Sequence, residues 1–194
     1  MNIVARRYTL KRRAERQDET RRRIVEAAVA LHQSVGMART TVTDIAERAG
    51  VGRLSVYRHF PDELTLGWAC SGLYWERHPL PDPTPWRTVD DPHERLRLAL
   101  RESYAYHRKT EEMMTRAFAD AADSPIMTPY YTHWRRAADV VVAAWRVRGR
   151  KRVLLRAGIG HAIAFPTWRS LVRDQGLTDR QAVELMLRLT CDCD

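Results

Sequence analysis

Cysteine is scarce in this chain. Cys70, Cys191 and Cys193 are the only thiols among 194 residues. Their spacing fits neither a disulfide framework nor a zinc site. No apolar run approaches the roughly 18 residues that a membrane-spanning helix requires. The first 23 residues, MNIVARRYTLKRRAERQDETRRR, are charged where a signal peptide is apolar, so the expected location is the cytoplasm. No useful segment alternates with the two-residue period of a strand, and no internal repeat is present, which leaves an all-α class. Also missing are a nucleophile beside a base, a His/carboxylate metal spacing and a glycine-rich phosphate loop. Carboxylates such as Glu111 and Glu112 read as helix-surface charge. The chain is therefore not expected to be an enzyme, and no catalytic residue, cofactor or metal is assigned.

What is present is positive charge, unevenly placed. The net charge is +9, with 44% hydrophobic and 29% charged residues, ordinary values for a globular chain. Residues 1–60 hold 13 Lys/Arg against 6 Asp/Glu, and the remaining residues hold 20 against 18. Arg6, Arg7, Lys11, Arg12, Arg13, Arg16, Arg21, Arg22 and Arg23 supply most of the excess. Such asymmetry points to a polyanion at that end. Residues 1–16 read as a flexible basic arm.

Helical periodicity then begins. Ile24, Ala27, Ala28, Leu31 and Val35 share one face, and Gly36 stands where a C-terminal cap belongs. Thr41 and Asp44 form a capping-box variant ahead of a helix at about 42–49, which ends at Gly50. A second short helix covers about 53–60. Pro61-Asp62 starts another, at about 63–77. The segment at 78–92 contains five prolines and reads as an extended linker. Asp91-Pro92 opens a helix whose face carries Leu96, Leu100, Ser103, Tyr104 and His107. Ser124-Pro125 and Thr128-Pro129 both look like helix starts. Tyr131, Trp134, Ala138, Val141 and Trp145 follow at helical spacing. Residues 151–173 and 178–190 read as the last two helices, with Pro166 expected to kink or interrupt the first. Gly176 separates them, and Thr178 with Gln181 forms a capping box.

The stretch RTTVTDIAERAGVGRLSVYRHF at 39–60 matches a helix-turn-helix. Ala46 is small where two helices cross, and Gly50 suits a left-handed turn residue. Val51 and Val56 are expected to close a small core under Ile24 and Leu31. Arg53, Leu54, Tyr57 and Arg58 lie on the opposite face, with no reason to be buried. Guanidinium groups there suit guanine edges in a major groove. Tyr57 and His59 suit phosphate oxygens, while Phe60 anchors the helix to the core.

Residues 20–66 resemble the DNA-binding domain of the TetR family of transcriptional regulators. The motifs are TTVTDIAERAGV at 40–51, VYRHF at 56–60 and the preceding RIVEAAVALHQSVG. The resemblance implies a three-helix DNA-binding domain over about 17–62, then a helical ligand-binding and dimerisation domain over 63–194. It assigns phosphate contacts to Thr41, Tyr57 and His59, and base contacts to Thr43, Arg53, Leu54, Ser55 and Arg58. Two positions depart from the family pattern. Gly52 replaces a common Ser or Thr, and Glu63 replaces a common Lys, so no phosphate contact is expected at 63. The basic arm is expected to compensate, entering a minor groove.

The second domain carries all six tryptophans. By resemblance, Tyr104, His107, Met114, Phe118, Tyr131 and Trp134 are candidates to line a site for a small apolar or aromatic effector. His107, Tyr104 and Tyr131 are its expected polar anchors. Small residues interleaved with apolar ones in AGIGHAIAFPTW, followed by Val183, Met186, Leu187 and Leu189, suggest a close helix interface. The family implies a homodimer through about 151–190, and hence a palindromic operator in double-stranded DNA. The expected protein is a dimeric repressor released by its effector. A DNA-binding regulator without an effector, a redox sensor using Cys191 and Cys193, and an enzyme, the least favoured, are the alternatives.

Overall fold

The computed structural model describes residues 3–191, with side chains from 10 to 190 and at Tyr8. Among these the chain is all helical, with no strand. It divides into two compact units. The first comprises residues 1–79 with 115–126, and the second residues 80–114 with 127–194.

In the first unit α1 spans Ile3–Val35, α2 Val42–Ala49, α3 Arg53–His59 and α4 Glu63–Arg77. The stretch expected as a flexible arm is helical from Ile3 onward. Neither Gly nor Pro occurs before Gly36, and Arg, Lys, Ala, Leu and Glu all favour helix. Ion pairs one turn apart support it, such as Arg22–Glu19 at 2.7 Å. Gly36 ends α1 at φ 93°, its N–H donating to the His32 carbonyl at 3.1 Å. The side chain of Asp120 accepts from the Ala38 N–H at 3.1 Å, and Arg116 Nε donates to the Gln33 carbonyl at 3.1 Å. The exit from α1 is thus fixed by two side chains far along the chain.

The buried face of α1 carries Ile24, Ala27 and Ala28 as expected, but His32 completes it. Leu31 is half-buried and Val35 is exposed. α4 packs on α1 and belongs to the same compact unit. Asp62 caps α4, accepting from the Thr65 N–H at 2.6 Å.

α5 spans Pro92–Asp120, with residues 92–114 in the second unit. The other helices of that unit are α6 (Thr128–Val142), α7 (Gly149–Ala162), α8 (Phe165–Arg169) and α9 (Asp179–Cys191). The expected 151–173 helix is broken at Ile163 and Ala164, with Pro166 in the first turn of the next piece. A wide π turn, Ser170–Asp174, closes that piece. The proline-rich segment is not an extended linker. Trp86 is fully buried, and its Nε1 donates to Glu102 at 2.7 Å. Arg95 is also buried, and donates to the carbonyls of Val89, Val140 and Arg87 at 2.8, 3.2 and 3.1 Å. One aromatic anchor and one buried guanidinium hold the prolines against the helices.

Candidate nucleic-acid interface

The helix-turn-helix is built from its caps outward. Thr41 Oγ1 accepts from the Asp44 N–H at 3.1 Å, and Asp44 Oδ2 accepts from the Thr41 N–H at 2.9 Å. This completes a capping box. The hydroxyl proton of Thr41 also goes to Asp44, at 2.7 Å. These bonds hold the Asp44 carboxyl below its usual range. Ile45, Ala46 and Ala49 are buried, and Gly50 ends the helix at φ 64°. A Cβ at Gly50 would lie 2.7 Å from Arg23 Nη2. That guanidinium donates to the carbonyls of Ala49 and Gly50. Charge counting assigns Arg23 to the polyanion-facing excess, yet its position makes it the clasp of the turn.

α3 starts at Gly52, which supplies no capping side chain. Val56 and Phe60 are buried, and α3 packs against α1 and α2. Arg21 lies over the Phe60 ring, 4.5 Å from its centroid. The other face is open. Leu54 is 86% exposed and Tyr57 53% exposed, and Arg53 and Arg58 are exposed beside them. Arg58 Nη2 donates to Ser55 Oγ at 3.3 Å, which pre-orients the guanidinium. Thr41 and Thr43 are exposed at the start of α2. The eight candidate residues therefore share one small domain, six of them exposed and Ser55 and His59 half-buried. His59 Nε2 is buried without a hydrogen-bond partner among the described residues. Burial, with Arg58 and Arg21 nearby, lowers its pKa.

The candidate effector residues divide differently. Tyr104, His107, Met114 and Trp134 are buried in the second unit. Tyr131 is half-buried, and it is Tyr130 that points inward. Phe118 is half-buried and belongs to the first unit. Tyr104 donates its hydroxyl to the Ala162 carbonyl at 2.9 Å, and His107 Nε2 meets the Ile163 carbonyl at 2.9 Å. Both anchors thus grip the point where α7 ends. Cys70 is buried and its thiol is pushed up to about 12, which makes it inert. The side chains of Cys191 and Cys193 lie outside the described residues. Among the described residues no cluster could hold a metal ion, and no helix is long and apolar enough to cross a membrane.

Comparison with known proteins agrees with this geometry. The profile of bacterial regulatory proteins of the tetR family matches residues 24–63. The HTH-type transcriptional regulator TtgR of Pseudomonas putida is 42% identical over 69 residues, 36% of this chain and 33% of TtgR. The matched part thus spans one third of that relative's length. A TetR-family transcriptional regulator from Mesorhizobium loti shares the fold over 91% of this chain and 97% of its own, with TM-score 0.61 and 17% identity. The multidrug binding protein EbrR, solved with imidazole, matches over 87% of this chain and 88% of its own, with TM-score 0.55 and 24% identity. Residues 24–63 thus carry the helix-turn-helix of the tetR family of bacterial regulatory proteins, and the chain shares its all-helical fold with these solved structures.

Proposed function

We propose that the chain is a sequence-specific DNA-binding transcriptional regulator, working in the cytoplasm as a dimeric repressor that a small-molecule effector releases from its operator. The observation that carries this reading is the division of α3, with Val56 and Phe60 inward and Arg53, Leu54, Tyr57 and Arg58 outward. A helix with two guanidiniums, an aliphatic group and a phenol on its solvent face suits a major groove. Tyr57, His59 and the Thr41 region fit phosphates, and Arg53, Ser55, Arg58, Leu54 and Thr43 fit base edges. The helical basic stretch of α1 adds sequence-independent attraction.

Dimerisation through α7 and α9 is favoured by the face they leave uncovered. Leu154 and Leu189 are each 60% exposed, and Gly158 is exposed beside them. Val183, Met186 and Leu187, expected in this surface, are instead buried within the chain. Small and aliphatic residues on two helices suit close packing with a second copy. Two copies would present two α3 helices to a palindromic operator in double-stranded DNA. The effector half of the reading is supported by the buried aromatic residues of the second unit and by EbrR, which holds imidazole on the same fold. Release requires that effector and DNA prefer different states of the dimer. The ion pair Arg77–Glu26, at 2.8 Å between α4 and α1, is a contact that such a change would remake.

Selecting bound duplexes from a random pool tests the reading. Enrichment of an inverted repeat supports it. Binding that is only bulk and salt-sensitive would reject it.

A further inference from the structure

The buried stripe of α5 carries Ser103 and His107, each with a polar atom that meets no hydrogen-bond partner among the described residues. Ser103 and His107 are one turn apart on the same face, and both are fully buried. Neither Ser103 Oγ nor His107 Nδ1 has a hydrogen-bond partner. Buried polar groups without partners are rare in native proteins and call for a reason.

The tautomer of His107 sharpens the case. Its Nε2 faces the Ile163 carbonyl at 2.9 Å. A carbonyl oxygen only accepts, so Nε2 carries the proton. Burial keeps the ring neutral at physiological pH. Nδ1 is therefore a bare lone pair, and whatever meets it must donate. Ser103 Oγ can donate a proton in turn. A hydroxyl group has the chemistry to serve both, giving its proton to Nδ1 and accepting from Oγ. A carboxylate would meet the lone pair with another lone pair. An ether could accept from Ser103 but would leave Nδ1 unmet.

The surroundings specify the rest of the molecule. Trp134 lies 5.0 Å from the His107 ring centroid, Phe165 5.6 Å, Trp168 5.9 Å and Tyr106 5.9 Å. Trp168 is held by its Nε1 bond to Asp179, at 2.9 Å. Met114 continues the same buried stripe of α5, and its flexible thioether chain adapts to different shapes. Aromatic faces around one polar point favour a planar ring.

We infer that Ser103 and His107 form the polar end of an aromatic-walled site for a small planar molecule bearing a hydroxyl group. This rests on the effector reading above and names the chemistry of its ligand.

The test compares 2-naphthol with 2-methoxynaphthalene on the full-length protein. Tryptophan fluorescence gives the two affinities, and 15N-histidine spectra report on Nδ1 of His107. The expected result is that naphthol binds about tenfold or more tightly than the ether and moves the Nδ1 resonance. Ser103→Ala should narrow the ratio, and His107→Phe should abolish it, with circular dichroism confirming that each variant folds. Equal binding of the two compounds overturns the inference. So does failure of both to bind, or naphthol binding with Nδ1 unmoved, which would assign the polar pair to a buried water only. The effector reading is judged separately, by operator release across a chemically varied compound set. Release that persists in His107→Phe would keep that reading while removing this one.

Discussion

Arg23 Nη2 lies 3.1 Å from the carbonyl oxygen of Gly50, and the same nitrogen also reaches the Ala49 carbonyl. A single cation from α1 thereby closes the C-terminal end of α2, where the helix dipole is negative. Gly50 ends α2 in the left-handed region at φ 64°, and a Cβ there would lie 2.7 Å from Arg23 Nη2. Arg23→Met should lower stability by about 1–2 kcal/mol through lost charge-assisted bonds. Gly50→Ala should cost about as much, through backbone strain and through the clash of its Cβ with the Arg23 guanidinium. Urea midpoints of both variants and the double variant check this. The two losses should fall short of adding, because each disturbs the same contact.

The start of α3 offers the opposite opportunity. Gly52 adopts φ −77° and ψ 150°, open to any residue, and a Cβ there meets nothing within 4 Å. Gly52→Ser should supply the missing cap and stiffen the unfolded chain. The expected gain is about 0.5 kcal/mol, read as a raised midpoint at constant m.

Arg95 should be among the costliest positions in the second unit. Its three carbonyl partners all lose their donors together on substitution. Arg95→Met keeps the apolar stem and removes only the guanidinium. A loss of about 3 kcal/mol in a urea titration is expected. Release of Trp86, seen as a red shift in its fluorescence, should accompany it.

His107 gives a pH dependence with a definite sign. Burial pushes its pKa down from 6.5 to about 4, against a smaller raising effect of the Ile163 carbonyl. The unfolded chain therefore takes up the proton first. The stability this group confers is complete above pH 6.5 and is lost as pH falls toward 4. The slope should approach about 1.4 kcal/mol per pH unit, for a total of roughly 3 kcal/mol. His32, His59 and His133 also have lowered pKa values, so the comparison must be with His107→Phe. The difference between the two pH profiles should carry this slope.

Much of the first unit was legible in the sequence because its signals are local. Capping residues at Thr41 and Asp62, the glycines at 36 and 50, and the inward positions Val56 and Phe60 follow from neighbours within a turn. In the basic stretch charge density suggests disorder, yet no residue there interrupts a helix. Arg23 and Arg95 were missed because each acts at a distance, on carbonyls that no local pattern marks. The proline-rich segment misled for the same reason, since Trp86 and Arg95 decide its conformation from outside it. In the second unit, helical spacing identified the α5 stripe. It chose Tyr131 over Tyr130 because adjacent tyrosines differ by only one step of 100° around the helix. No periodicity can reveal that Ser103 and His107 lack partners, because that depends on every atom packed around them.

The most direct test of groove reading by α3 compares Arg58→Ala and Tyr57→Ala with the wild type on a selected operator and all its single-base variants. Arg58→Ala should erase discrimination at one base pair of each half-site, by about 1–3 kcal/mol, and leave the other positions selective. Tyr57→Ala should weaken all duplexes alike, as loss of a phosphate contact does. Uniform weakening by Arg58→Ala, with discrimination intact at every position, would contradict the assignment of α3 as the reader.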